Sequence, residues 1–355
     1  ISCHYGFAGR KNCQRVCGRE NPPFCSSVPL LMAAAARTSA YKPALAWFAA
    51  LGTLWVFVLV TLGAFTTSIG AGMAFQDWPL SNGSLNPTGW LSNLAMFSEH
   101  SHRLSAIVMS TVTFILAVSL WRTESRSWLR KLGWAAFGLV LVQAVVGGLR
   151  VLFDHRQIAL VDTSLGRLFA MLHACLAQLF VCTLLAIAVA CSRPWIEGRA
   201  PGGSPGLRRT GLVCCALAFG QLAIAAVMRH SMAGLAIPTF PFATLHGGLL
   251  PDAWNFRVAI HFAHRAMAAV LAVALPVFAC RIWFGRGTTL ALRCGASLLV
   301  GLLMLQILLG AEIIWSTRNP EITTAHVLVG ALTLATTFWL TWLAHRDAIE
   351  GPGPA

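Results

Sequence analysis

Charged side chains are scarce in this chain, acidic ones above all: 12 of 355 residues are Asp or Glu, and charged residues of both signs make up 11%. A water-soluble domain of this length needs far more charge to cover its surface, so that class is excluded. Cysteine is absent from residues 26–174 and from every connection expected on the outer side of a membrane, which excludes disulfides there. The apolar runs do not alternate with polar residues, which excludes a transmembrane barrel. Carboxylates and thiolates do not gather with histidine at two matched places. A pair of sites for a metal that prefers oxygen or sulfur ligands is therefore excluded.

What is abundant is apolar: 57% of the residues are hydrophobic. A bilayer-spanning helix needs roughly 20 apolar residues, and eight such runs occur at about 44–65, 101–121, 132–151, 167–192, 210–228, 257–280, 288–315 and 325–344. The expected class is all-α integral membrane, with eight transmembrane helices. The net charge of +14 does not point to nucleic acid, because Lys and Arg collect in alternate connections. Arg122, Arg126, Arg130 and Lys131 share one, Arg193, Arg199, Arg208 and Arg209 another, and Arg281 and Arg286 a third; residues 66–98 have none. By the positive-inside rule both termini face the cytoplasm, as expected of a multi-pass protein of a bacterial inner membrane. Cys175, Cys182, Cys191, Cys214, Cys215, Cys280 and Cys294 lie in or beside apolar runs and read as small hydrophobes. Cys3, Cys13, Cys17 and Cys25 fit neither paired C-x-x-C nor a finger, so no zinc site is expected. Residues 1–31 precede the first methionine, Met32, and are expected to be an upstream artefact or a fragment within a lead-in of residues 1–43.

The chain repeats itself. Gly63–Leu80, GAFTTSIGAGMAFQDWPL, aligns without a gap on Ala225–Phe242, AAVMRHSMAGLAIPTFPF, and the same spacing carries His102-Arg103 onto His264-Arg265. With one residue inserted, Gln143 and Gly147 fall on Gln306 and Gly310; after a shorter connection His173 falls on His326. Two pseudo-symmetric four-helix bundles follow, residues 44–192 and 210–345, joined by a cytoplasmic Gly/Pro/Arg-rich linker, 193–209, and ended by a tail, 346–355. An even helix number per half makes these parallel repeats, each with an interior able to host a cofactor.

Four of the eleven histidines occupy matching places, near the outer ends of the second and fourth helix of each half: His102 with His173, His264 with His326. A single membrane histidine can simply bond a neighbouring helix. Two equivalent pairs at one depth favour axial ligation of haem iron instead. Arg103 and Arg265, beside those histidines, read either as partners for haem propionates or as snorkelling interfacial anchors. Glu99 lies one helical turn before His102 on the same face, and its repeat counterpart is the non-acidic His261. A carboxylate in one half only suggests that one site does chemistry; the alternative is an acid complementing the helix dipole. His100 and His261 are expected near the sites but not as ligands. Glu312, opposite Leu149 or Arg150 in the first half, has no assigned role.

On these motifs, with Glu99-His100-Ser101-His102-Arg103 and Gln143 followed by Gly147-Gly148, residues 44–345 resemble the haem A synthase family. The resemblance implies oxidation of a ring methyl of haem O to a formyl group, giving haem A for cytochrome oxidase. It implies His264 and His326 as ligands of a haem b cofactor, His102 and His173 as ligands of the substrate haem, and Glu99 as the catalytic acid. Membrane lipid and haem O are the partners it implies; docking of a haem O synthase or of other oxidase assembly factors, and the electron acceptor, stay open. One departure is that Ser81 stands where many bacterial members have a cysteine directly after DWPL, so a thiol step in that loop is not expected. Two other readings fit the helices: a dihaem b-type electron-transfer cytochrome, and a proton-coupled transporter whose histidines relay protons.

Overall fold

The computed structural model describes residues 40–158, 163–198, 203–285 and 287–351. The four lead-in cysteines, Met32, Arg199 and Arg286 lie outside the described residues. Eight helices are long and apolar enough to cross a membrane: α1 Pro43–Ser68, α2 Leu94–Thr123, α3 Ser127–Leu152, α4 Leu165–Cys191, α6 Pro205–His230, α7 Phe256–Trp283, α8 Leu290–Trp315 and α9 Pro320–Ala344. Two short helices, α5 Arg193–Ile196 and α10 Arg346–Glu350, and a two-stranded antiparallel ribbon, β1 Gln157–Ile158 with β2 Thr163–Ser164, complete the described elements.

Helix α2 begins seven residues before its apolar run, and the reason is a cap. The Asn93 side chain accepts from the N–H groups of Ala95 and Met96, so the polar turn carrying Glu99 and His100 is helical although hydropathy alone does not mark it. Asn319 caps α9 in the same way through Glu321 and Ile322, extending it ahead of residue 325. The linker expected at 193–209 is also more structured than its composition suggests, since it holds α5 and the first turn of α6.

The described residues form one compact unit. Within it α1 to α4 pack as a closed ring of neighbours, as do α6 to α9, and the rings meet through α1, α4, α6 and α9. Apolar packing fills one half of the thickness. In the first ring it comes from Met109, Leu116, Leu120, Leu129, Val140, Phe180, Leu184 and Ile187; in the second, from Leu271, Leu275, Phe278, Leu299, Leu303 and Leu340. The other half of the thickness lies toward the two long loops, residues 69–93 and 231–255. There the same helices carry His102, Gln143, Gly147 and His173 in one ring, and His264, Gln306, Gly310 and His326 in the other. The core thus stops where the chemistry-bearing side chains begin.

At the opposite end Arg126 donates to Glu124 and Glu350, the Trp195 indole donates to Glu350, and Arg346 donates to the Trp195 carbonyl. This network ties the α2–α3 turn to α5 and the tail. Burial alone lowers the Arg126 pKa, but its hydrogen bonds to Glu124 and Glu350 outweigh that and raise it, so the guanidinium stays charged.

Candidate functional site

The second-half pair is the better defined. The rings of His264 on α7 and His326 on α9 face one another with centroids 6.4 Å apart and planes inclined at 59°. Each carries a glutamine at its Nε2: Gln221 Nε2 at 3.4 Å from His264, Gln306 Nε2 at 3.2 Å from His326. The Nδ1 atoms of both rings are buried without a partner. Gly310 makes room for His326, since a Cβ there would sit 3.2 Å from the ring's Cε1.

The first-half pair is built from the same parts. His173 Nδ1 lies 3.1 Å from the Gln143 carbonyl, and Gln143 Nε2 donates to the His173 carbonyl at 3.1 Å. When Nδ1 donates to that carbonyl, Nε2 is left as the lone-pair nitrogen, the usual way a ligand histidine is oriented. His102 has a buried, unpartnered Nδ1 and lies within electrostatic reach of His173. Glycine again clears the rings: a Cβ at Gly63 would stand 2.8 Å from His102 Cε1, and one at Gly147 3.1 Å from His173 Cε1. The opposed imidazoles of the second half fit a flat group gripped axially, and the first half has the matching pair of buried imidazoles; in both, glycine clears the rings, and His102, His264 and His326 each keep an unpartnered Nδ1. Among the described residues no three His, Cys, Asp or Glu side chains gather as a polydentate metal site would require.

The long loops roof the two pairs and are held by matching bonds. Ala71 N–H donates to Thr66 and Ala233 N–H to Met228, each at 2.9 Å. Arg103 donates to the carbonyls of Phe75, Asp77 and Leu80, and Arg265 to their repeat counterparts Ile237, Thr239 and Phe242. Both guanidiniums therefore clamp loops, a use that neither the propionate nor the snorkelling reading anticipated. The Phe75 N–H donates to Glu99 Oε2 at 3.1 Å, while in the second half the Ile237 N–H donates to His261 Nδ1 at 3.2 Å. Glu99 also pairs with Arg103 at 2.5 Å, and Arg265 Nε lies 3.2 Å from His261 Nε2, although a neutral ring accepts at one nitrogen only. Losing the Arg265 clamp leaves the Ile237 and Thr239 carbonyls without a donor, at a cost of about 1–3 kcal/mol, while the Phe242 carbonyl keeps the Thr239 hydroxyl. Arg265→Leu is expected to speed limited proteolysis within residues 231–255 by roughly tenfold or more, with gel-resolved cleavage rates as the readout.

His100 belongs to the first roof: its Nδ1 meets Ser81 Oγ at 3.0 Å and its ring stands edge-on to Trp90. Asp77 accepts from Asn82 and Gly83 N–H at 2.8 Å. Desolvation raises the Asp77 pKa, but these two bonds and Arg103 outweigh it and hold the carboxylate below its ordinary value. The stabilisation is present above the ordinary value and is lost only as pH falls through the lowered one, so the turn stays closed through neutral pH. The Glu312 carbonyl accepts from the Ser316 N–H at the end of α8, while its side chain makes no hydrogen bond or ion pair among the described residues.

Residues 92–338 match the family COX15-CtaA, described as cytochrome oxidase assembly protein. The chain belongs to this family. The matched span holds all four paired histidines, Glu99 and both clamp arginines; the first roof loop precedes it. Two relatives of this COX15-CtaA chain are each named Heme A synthase. One, from Alkalihalophilus pseudofirmus, is 23% identical over 309 residues, covering 85% of this chain and 97% of its own. The other, from Macrococcus caseolyticus, is 24% identical over 294 residues, covering 80% and 91%. A third of that name, from Maricaulis maris, is 33% identical over 109 residues, covering 26% of this chain and 32% of its own. Gln221 and Gly63 went unnoticed in the sequence because their repeat counterparts, Leu59 and Ala225, break the pattern that marked the histidines.

Proposed function

We propose that this multi-pass membrane protein oxidises the ring methyl of haem O to a formyl group, supplying haem A for cytochrome oxidase. One observation carries the reading. The two halves hold equivalent loops on equivalent bonds, yet the acceptor is a carboxylate, Glu99, in the first and a neutral-capable imidazole, His261, in the second. The loop does not require a charge, so the charge serves the first site.

In this reading His102 and His173 hold the substrate porphyrin, and His264 and His326 hold a haem b, which when bound supplies one-electron transfer. Glu99 stabilises positive charge developing at the oxidised carbon, or accepts the proton released from it, in a roofed site that excludes water. Arg103 pairs with that carboxylate and fixes it against the loop. Both termini lie on the cytoplasmic side of a bacterial inner membrane, haem O comes from a haem O-forming enzyme, and the product passes to oxidase assembly factors.

Expression beside a haem O source, in cells without their own haem A formation, tests the proposal. Extracted haem is expected to contain the formyl product by chromatography and mass. Haem O alone, with two retained b haems in the purified protein, assigns the chain to electron transfer instead; a colourless protein assigns it to transport.

A further inference from the structure

Arg150, near the long-loop end of α3, is a guanidinium beside the first site with no hydrogen-bond or ion-pair partner among the described residues. It follows Gly147, the residue that clears His173, by three positions and so shares its helix face. Its Nη2 lies where a Cβ at Gly72 of the first roof loop would be. It is within electrostatic reach of both His102 and His173. Glu99 and Asp154 are its nearest acids in that sense, yet neither forms an ion pair with it, and no hydrogen bond from it to a described residue is present. Arg103, the neighbouring candidate, spends both Nη atoms on Glu99 and three loop carbonyls. At the repeat position of Arg150 the second half has Glu312 or Ile313, so the feature is confined to one site.

A guanidinium set among helices offers five donors in a planar fork, and leaving them unmatched away from water is costly. A carboxylate accepting two parallel N–H bonds satisfies them best. We infer that Arg150 anchors a propionate of the porphyrin held by His102 and His173, fixing which ring edge faces Glu99. The inference rests on the reading of the first half as a porphyrin site. Because the second half has no arginine at this repeat position, the inference also accounts for how one half handles a porphyrin that must arrive in a set orientation and leave after reaction.

The test is a Soret titration of the purified full chain in a His326→Ala background, which leaves only the first-half imidazole pair. The probes are iron protoporphyrin IX and its dimethyl ester, which lacks the carboxylates. Arg150→Gln is expected to raise the Kd for the free acid about tenfold to a hundredfold, the size of a lost charge-assisted hydrogen bond, and to leave the ester's Kd unchanged. Arg150→Lys, which keeps the charge without the fork, is expected to fall between. Equal weakening of both probes, or no weakening of either, overturns the assignment of Arg150. If adding His173→Ala leaves both titrations unchanged, the first-half porphyrin site itself is wrong, and the inference falls with it for that separate reason. With His326 intact, Arg150→Gln is expected to keep the second-half haem absorbance, which separates lost anchoring from lost folding.

Discussion

Glu99→Gln is expected to keep both haem sites filled while haem A formation falls at least a hundredfold, the usual loss when one preorganised electrostatic group is removed. The glutamine amide oxygen still accepts the Phe75 N–H, and Arg103 keeps the carbonyls of Phe75, Asp77 and Leu80. The roof over the first site therefore survives. Glu99→His goes further, because it installs the residue that the second half already uses to hold its own loop at Ile237. Both variants should resemble the unmodified protein in absorption spectrum and differ from it in extracted haem, with haem O accumulating. Haem A at the original level in either variant removes the catalytic role of Glu99. Loss of first-site porphyrin in both makes the carboxylate structural.

The number of helices was legible because membrane spanning demands long apolar runs, and eight of them stand in the composition. Their starts were less so: Asn93 and Asn319 add polar turns that only a capping bond explains. The four paired histidines were legible through repetition, since each falls on its counterpart in the other half. Direction was not. Whether Arg103 turns toward a ligand or back to its own loop depends on carbonyls 23 to 28 residues earlier, at Leu80, Asp77 and Phe75, and spacing carries no information about that choice. Arg150 escaped for the opposite reason. Repetition singles out what the halves share, whereas this arginine, like Glu99, marks where they differ. Glu99 drew notice because it sits in the histidine motif; Arg150 sits in an apolar stretch beside a glycine and shows its use only when the loop folds over it.

Exchanging the two matched glycines for valine separates the halves more sharply than deleting ligands does. A Cβ at Gly310 already stands 3.2 Å from His326 Cε1, and one at Gly147 stands 3.1 Å from His173 Cε1. Alanine there asks the ring to give by a few tenths of an ångström; the branched methyls of valine leave no such room, and overpacking of this kind costs about 1–3 kcal/mol. On the proposed assignment of His264 and His326 to a resident haem that relays electrons, Gly310→Val is expected to strip that haem, lowering Soret absorbance of the purified protein as far as His326→Ala does, and to halt haem A formation. Gly147→Val is expected to retain that haem and still make no haem A, because His173, the proposed substrate ligand, is pushed aside. Haem O should accumulate in both, so only the purified spectrum tells them apart. A reversal, with Gly147→Val bleaching the protein and Gly310→Val leaving its colour intact, would move the resident haem to the first half and the reaction to the second, where no carboxylate occupies the place of Glu99.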